Sequence, residues 1–345
     1  MTSIIGVVNV RFFGLAENIS SLIRDEDVKI EKFMTREDQP IDSIIEKLED
    51  VDVIIAGAYP TYDRELFRRL KRLKAIVRWG VGYDNVSLED ATEEGVIVSR
   101  LPAQVLKDAV AEHTIALILA VMRKIPKAIE YVKSSSWWKN FLEEPDFLIG
   151  ESIEDKIIGF IGLGEIGFRT LELIKPFRPK EIIVYDPYIS KDFVRSVGAV
   201  YASSLDELLA FSDIISIHAP LTPETKKILN RERFQKMKKG VYLINTARGG
   251  IIDTDSLVWA LEKGIVRAAA LDVFDPEPIP PNHPILKFDN VILTPHLAFA
   301  TKRSCKMMDE YSIAEALRIL KGEKPLWILN PEVLKSDKLR AKIST

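Results

Sequence analysis

The sequence predicts two doubly wound α/β domains, each a parallel sheet covered by helices on both faces. Short Val- and Ile-rich runs recur along the 345 residues, and most are apolar throughout instead of alternating, as strands buried on both faces must be. Amphipathic stretches with helical spacing lie between them. One long apolar helical segment divides the series into two sets.

The first set contains "SIIGVVNV", "VDVIIAG", "KAIVRW" and "GVIVS". The opening run lacks the basic flank and small-residue cleavage site of a signal sequence, so it reads as a first strand. Between these runs, "PIDSIIEKLED" and "DRELFRRLKRL" repeat their apolar residues at helical spacing. The segment "AQVLKDAVAEHTIALILAVMRKIPKAIEYVKSS" follows, helical in composition and apolar nearly all round in its middle, so it belongs between domains or subunits. An aromatic, loop-like stretch, "SSSWWKNFLEEPDFLIGES", leads into the second set. That set runs "KIIGFIG", "EIIVYD", "DIISIHA", "GVYLINT", "AAALDVF" and "NVILTP", with "SLDELLAFS" and "DTDSLVWALEKG" as intervening helices. A last helix, "SIAEALRILKGEKPLW", is expected to pack back on the first domain. The predicted division is 1–103 with 300–345 for one domain and 104–299 for the other.

Composition narrows the function classes. Hydrophobic residues make up 47% and charged residues 29%, an ordinary globular balance that excludes disordered and disulfide-scaffold classes. A net charge of -3 supplies no overall basic field for nucleic acid or an anionic membrane. The single cysteine, Cys305, forms no internal disulfide and no multi-thiolate metal site, which fits a reducing cytoplasm. "TIALILAVM" falls far short of the ~20 apolar residues that span a bilayer. No metal, nucleic acid or membrane partner is expected.

In "IIGFIGLGEIGFRTLELI", Gly162, Gly164 and Gly167 follow an apolar strand and open a helix. A tight turn, close backbone approach to a pyrophosphate and close helix packing each require a missing Cβ, and the helix N-terminus attracts the anion. The next strand ends in Asp186, about 20 residues on, where a carboxylate accepts hydrogen bonds from an adenosine ribose. A 2′-phosphate would meet that carboxylate with no adjacent arginine, so the pattern favours NAD over NADP. Glu165 inside the turn suits a pyrophosphate only if its side chain points outward.

Ligands of a doubly wound sheet bind at the carboxyl ends of its strands. Three successive strand ends here carry Arg248 in "INTARGGIID", Asp272, Asp275 and Glu277 in "LDVFDPEP", and His296 in "NVILTPHLAF". Hydride transfer between an alcohol and a ketone needs a group that takes and returns a proton near neutral pH, and histidine does this. A carboxylate on its far nitrogen fixes the tautomer and stabilises the imidazolium; Glu277 is the candidate. Arg248 offers a planar fork for the carboxylate of a 2-hydroxy or 2-oxo acid. Singly, Arg248 could be a salt-bridge partner of Asp253 or Asp272, Glu277 a solvated loop carboxylate and His296 a turn residue; together at three strand ends they favour chemistry.

The other histidines read differently: His113 as a structural residue of the long helix, His218 as a lining of the cofactor cleft, and His283 as a loop residue. In the first domain, "VRWGVGYDNV" places Gly80, Val81 and Gly82 at a strand end, where exposed N–H groups form a small carboxylate nest or a plain turn. Trp79 and Tyr83 beside it either shape a substrate pocket or sit in the core.

With these residues assembled, the sequence resembles the NAD-dependent D-2-hydroxyacid dehydrogenases over nearly its whole length, through "RWGVGYDNV", "AEHTIALILAVMRK", "GFIGLGEIG", "YDPY", "HAPLTPET", "INTARGGIID", "LDVFDPEP" and "TPHLAFAT" in family order. The resemblance implies a flavodoxin-like substrate domain and a Rossmann NAD-binding domain. It implies that Arg248 binds the substrate carboxylate, that Glu277 and His296 form the proton-relay pair, and that Asp272 contacts the nicotinamide carboxamide. The cofactor set implied is Gly162, Gly164, Glu165, Ile166, Gly167, Asp186, His218, Thr222, Thr246, Ala247 and Asp272, and the substrate set Gly80, Val81, Gly82 and Arg248. A homodimer built on the long helix and the arm near Trp137 and Trp138 is also implied. Glu277, where formate dehydrogenases carry glutamine, and Val81, where phosphite-oxidising members carry lysine, argue against both substrates. Trp79 stands where members usually carry a smaller residue. The expected substrate class is glyoxylate, hydroxypyruvate or phosphohydroxypyruvate; the alternative is an NAD(H)-sensing interaction protein resembling the C-terminal-binding corepressors.

Overall fold

Residues 2–15, 27–36, 39–134, 136–139 and 146–344 are described by a computed structural model of the chain. They divide into two units, Met1–Leu106 with Ala300–Thr345, and Lys107–Phe299.

In the first unit, β1 (Ser3–Val8), β2 (Val28–Phe33), β3 (Val53–Ala56), β4 (Ala75–Arg78) and β5 (Ile97–Ser99) form a parallel sheet in the order β2-β1-β3-β4-β5. The apolar runs become β1, β3, β4 and β5, and the last three are buried along their whole length. Strand β2 was not among the expected elements. Its sequence, VKIEKF, alternates charge with apolar residues because it lies at the sheet edge, half in solvent. Helices α1 (Ile41–Leu48), α2 (Arg64–Arg69) and α3 (Leu88–Glu93) connect the strands, and the side chains of Asp63 and Ser87 cap the N-termini of the latter two. The sheet and these helices share a core that includes Leu48, Ile54, Phe67, Leu70, Ile76 and Val98.

The chain returns to this unit as expected, through α12 (Lys302–Leu320), which packs on β3 and β4. The segment beyond it is tied down by polar side chains. Asn330 accepts the Val98 N–H of β5 and donates to the Val96 carbonyl just before it, and the Arg340 guanidinium donates to the carbonyls of Phe67, Leu70 and Leu73, satisfying acceptors that the end of α2 leaves open.

In the second unit, the long helical segment is broken. α4 (Lys107–Met122) and α5 (Ile125–Lys133) are separated at Lys124, which adopts φ 53°, and Pro126 stands in the first turn of α5. Proline disfavours helical geometry in the residue before it and starts helices more readily than it continues them. Of the aromatic stretch, Ser136–Lys139 forms a short helix, α6; residues 135 and 140–145 lie outside the described residues.

The sheet of this unit contains β6 (Ile157–Ile161), β7 (Glu181–Tyr185), β8 (Val200–Tyr201), β9 (Ile214–Ile217), β10 (Val241–Asn245), β11 (Val266–Leu271) and β12 (Val291–Leu293). All pair in parallel in the order β12-β11-β10-β9-β6-β7-β8. The order reverses between β6 and β9, which marks the ligand crevice of a doubly wound sheet. The two-residue β8 at the far edge is too short to leave a hydrophobic signature. Helices α9 (Leu205–Phe211), α10 (Arg231–Lys236) and α11 (Thr254–Glu262) contribute Leu208, Phe234 and Leu257 to one core layer. Helices α4, α7 (Glu165–Ile174) and α8 (Lys191–Ser196) contribute Ile118, Leu171 and Val194 to another. Each such fully buried aliphatic side chain contributes about 1.5–3 kcal/mol from removal of its surface from water. Among the described residues, no helix is long and apolar enough to cross a membrane.

Candidate active site

The glycine turn sits at the point of sheet reversal. Gly162 follows β6 with φ 89°, and a Cβ there would lie 2.9 Å from the backbone nitrogen of Ala219 after β9, so the two strand ends touch only because this residue has no side chain. Gly164 caps α7 without any side-chain hydrogen bond, and a Cβ built on it would meet nothing within 4 Å. The first N–H groups of α7 therefore face open space with the helix dipole behind them, which suits a pyrophosphate. The Glu165 carboxylate points outward, 4.0 Å from the Lys107 ammonium, and leaves that space clear.

Asp186, expected to end β7, is the first residue beyond it. One of its carboxylate oxygens accepts from the Leu163 N–H at 2.8 Å and the other from the Tyr188 N–H at 2.9 Å. It therefore locks the glycine turn and also caps the following segment, and its carboxylate stands at the turn where a ribose would arrive. His218 packs under the turn: its ring stacks on Phe160, its Nε2 bonds to the Ser216 hydroxyl at 2.8 Å, and burial pushes its pKa down to about 3. A histidine that stays neutral at physiological pH supports the turn without adding a cation. Thr222, after β9, bonds within its own loop to Thr225, and Thr246, at the end of β10, pairs with Thr114 of α4 at 2.8 Å.

Three strand ends of this unit bring the expected acid–base residues together. Asn245, the last residue of β10, donates to the Arg248 carbonyl and accepts from the Ala247 N–H, ordering the turn that carries Arg248. A Cβ on Gly249 would fall 1.9 Å from the Phe274 carbonyl carbon, so the β10 and β11 ends are in backbone contact. That contact places Arg248 beside the loop bearing Glu277. The alternative ion-pair partners are engaged elsewhere: Asp253 with Lys227 and Ser256, and Asp272 with the loop described next.

Asp272 is 1% exposed at the end of β11. Its carboxylate accepts from the Thr294 hydroxyl at 2.6 Å and from the N–H groups of Leu297 at 3.0 Å and Ala298 at 2.8 Å, while its carbonyl accepts the His296 N–H at 2.7 Å. His296 is thereby held at φ 51°, a left-handed conformation uncommon outside glycine, and its ring turns toward Glu277. Nδ1 of His296 lies 2.8 Å from Oε2 of Glu277, whose Oε1 accepts the Phe274 N–H at 2.8 Å. Burial pushes the Glu277 carboxyl upward, but the hydrogen bond and charge of His296, the Phe274 N–H and the nearby Arg248 outweigh it and hold the group below the usual glutamate range. An ionised carboxylate only accepts, so Nδ1 carries the proton of the neutral ring.

Two further side chains support the strand-end loops of the site. His113 of α4 lies 3.3 Å from the Thr294 hydroxyl and 3.7 Å from the Asp272 carboxylate, a structural role directed at the acid–base loop. Asn245 likewise showed only as the polar end of an apolar run. His283 caps the short helical turn at Pro284–Lys287.

In the first unit, the turn after β4 has its three carbonyls claimed from behind. Leu101 N–H takes that of Gly80 at 3.0 Å, Arg100 that of Val81 at 3.3 Å and Arg78 that of Gly82 at 3.0 Å. Among the described residues, no acceptor takes the N–H of Val81 or Gly82. Unclaimed consecutive N–H groups in a glycine turn are what an anion nest requires. Trp79 is buried, with its indole N–H on Asp309, so the core reading holds for it. Tyr83 lies under the Arg100 guanidinium.

A dinucleotide cradle on the same sheet as a carboxylate-bound imidazole defines an NAD-dependent oxidoreductase. Residues 115–298 match the family model described as D-isomer specific 2-hydroxyacid dehydrogenase, NAD binding domain. The chain is 42% identical to glyoxylate reductase of Thermofilum pendens over 294 residues, covering 85% of this chain and 86% of that protein. It is 37% identical to D-3-phosphoglycerate dehydrogenase of Methanocaldococcus jannaschii over 313 residues, covering 91% of this chain and 57% of that one. Among solved structures, D-lactate dehydrogenase from Aquifex aeolicus complexed with NAD and lactic acid superposes with TM-score 0.79 at 30% identity, covering 96% of this chain and 97% of the other. The chain belongs to the D-isomer specific 2-hydroxyacid dehydrogenases.

The two glycines in different surroundings give a direct test of the cradle. Gly164→Val should leave the melting temperature within about 2 °C of wild type, since its side chain enters open space, yet weaken NADH binding at least about tenfold. Gly249→Ala should lower the melting temperature by several degrees through its collision with Phe274. Fluorescence titration with NADH and calorimetry on both variants check this; unchanged NADH affinity in Gly164→Val removes the pyrophosphate from that helix end.

Proposed function

We propose that this enzyme reduces small 2-oxo acids of the glyoxylate, hydroxypyruvate or phosphohydroxypyruvate class to 2-hydroxy acids, with His296 and Glu277 as the proton relay and Arg248 as the carboxylate clamp. The observation that carries the reading is the 2.8 Å contact between His296 Nδ1 and a Glu277 carboxylate held in its charged form. The names of the relatives support the substrate class, since they include glyoxylate reductases and D-3-phosphoglycerate dehydrogenases.

NADH, when bound, supplies the hydride to the carbonyl carbon of the acid. The imidazolium of His296 gives its Nε2 proton to the carbonyl oxygen as that oxygen gains charge, and the Glu277 carboxylate stabilises the imidazolium before the transfer. Arg248 pairs with the substrate carboxylate and orients the carbonyl, and the Gly80–Gly82 turn of the first unit is read as a carboxylate nest. Asp272 acts through the loop it holds and on the nicotinamide side, and Asp186 selects a ribose with a free 2′-hydroxyl, so Asp186→Ala should narrow the preference for NADH over NADPH.

The surface of the second unit supports a homodimer. Ile125, Ile129 and Val132 of α5 and Trp138 of α6 expose 46%, 48%, 52% and 85% of their surfaces, an apolar stripe suited to a second copy of the chain. Light scattering should give twice the chain mass for wild type and a shift toward monomer for Ile129→Glu; a monomeric wild type rejects the dimer.

Steady-state NADH oxidation with glyoxylate and hydroxypyruvate tests the chemistry. His296→Gln should lower kcat by about 10²–10⁴-fold with NADH binding unchanged, and Arg248→Ala should raise KM for the acid far more than KM for NADH. Wild-type constants in both variants would remove the site, and tight NADH binding without turnover of any 2-oxo acid would favour a sensing role.

The depressed Glu277 ionisation sets the pH behaviour. Its charge, and the stability contributed by its bond to His296, should be fully present above the ordinary glutamate range and lost only as pH falls through its lower folded value. Relative to Glu277→Gln, wild type should therefore gain stability from acid toward neutral pH in thermal melts; parallel curves would mean the pair is not ionised.

A further inference from the structure

The buried carboxylate of Asp309 has no part in the chemistry above, yet it is 1% exposed in the middle of α12. A charge so buried is costly unless donors surround it. Two donors come from two different strand ends of the same sheet. The Trp79 indole Nε1 donates to Oδ1 at 2.9 Å, and the Gly14 N–H, from the segment after β1, donates to Oδ2 at 2.8 Å. Strands β1 and β4 flank β3, and α12 packs over β3 and β4, so one carboxylate joins the helix to both flanking strand ends.

Trp79 is the last residue before the chain leaves the sheet. Its own N–H still follows the strand, bonding to the Ala56 carbonyl at 3.0 Å, whereas Gly80 turns away with φ 152°. The residue anchored by the indole bond is therefore the one joined directly to the Gly80 peptide, from which the Val81 and Gly82 N–H groups follow. Trp79 is 7% exposed, so its size is spent on this link and leaves the shape of the substrate pocket to other residues.

We propose that Trp79 and Asp309 are positioning residues that hold the Gly80–Gly82 turn at the angle needed to receive the substrate carboxylate, with Asp309 as the anchor and the Gly14 N–H as its counter-brace. The inference rests on the reading of that turn as the carboxylate nest, and it concerns affinity for the acid alone. NAD belongs to the other unit's glycine turn, so its affinity is the control.

The test compares Trp79→Phe, which keeps the ring and removes the N–H, with Asp309→Asn, which keeps the shape and removes the charge, and with Gly80→Ala, which forces the turn itself. The expected result is a rise of roughly tenfold in KM for glyoxylate in each of the first two variants, with kcat and KM for NADH within about twofold of wild type. The double variant should be no worse than the poorer single one, because both cut the same link. A lowered melting temperature with unchanged KM in both folded variants would make the brace merely structural and overturn the proposal. If Trp79→Phe does not fold, the KM of Asp309→Asn decides in the same way. Gly80→Ala separates the two levels: a raised KM there with unaltered KM in the brace variants defeats the brace but leaves the nest, and an unaltered KM in Gly80→Ala defeats both.

Discussion

The acid–base site depends on the buried carboxylate of Asp272. It is almost wholly removed from water, and a carboxylate in that position must be given hydrogen bonds. The donors that meet this need are the Thr294 hydroxyl and two consecutive N–H groups after His296, so the loop cannot relax without stranding the charge. His296 is consequently kept in a left-handed conformation that it would not adopt alone. The cost of that conformation is met by the loop around it, and the gain is an imidazole aimed at Glu277 before any substrate arrives.

From this constraint the electrostatics follow. Glu277 is pulled toward its charged form by His296, by the Phe274 N–H and by Arg248, against burial that pushes the other way. Arg248 sits close enough to act because Gly249 lets the β10 and β11 ends meet backbone to backbone. A parallel sheet thus delivers a cation, an anion and an imidazole from three neighbouring strand ends without any of them being adjacent in sequence. The glycine turn at the reversal of strand order follows the same logic, with Gly162 permitting contact and Gly164 leaving space.

Much of this was legible in the sequence because buried parallel strands are apolar throughout and the residues just beyond them are not. That contrast located β6, β10, β11 and β12, and with them Gly162, Arg248, Glu277 and His296. It could not locate β2, whose edge position lets charges alternate with apolar residues, or the two-residue β8. The break of the long helix at Lys124 was marked by Pro126 but masked by strong apolar composition on either side. Supporting residues were the least legible. Asn245, His113 and Asp309 act through hydrogen bonds to groups far away in the chain, and no spacing within one element records such a partner. Trp79 left two readings open in the sequence, and its bond to Asp309 selects the core one.

The central claim is that Glu277 and the Asp272-held loop fix the tautomer of His296, so the most direct measurement is the ¹⁵N chemical shifts of the His296 imidazole followed by NMR across neutral pH. The account predicts a neutral ring with its proton on Nδ1, bonded to Glu277, and a bare Nε2. A neutral imidazole protonated on Nε2, with Nδ1 titrating, would contradict it, because the nitrogen facing the substrate would then have no proton chemistry to offer.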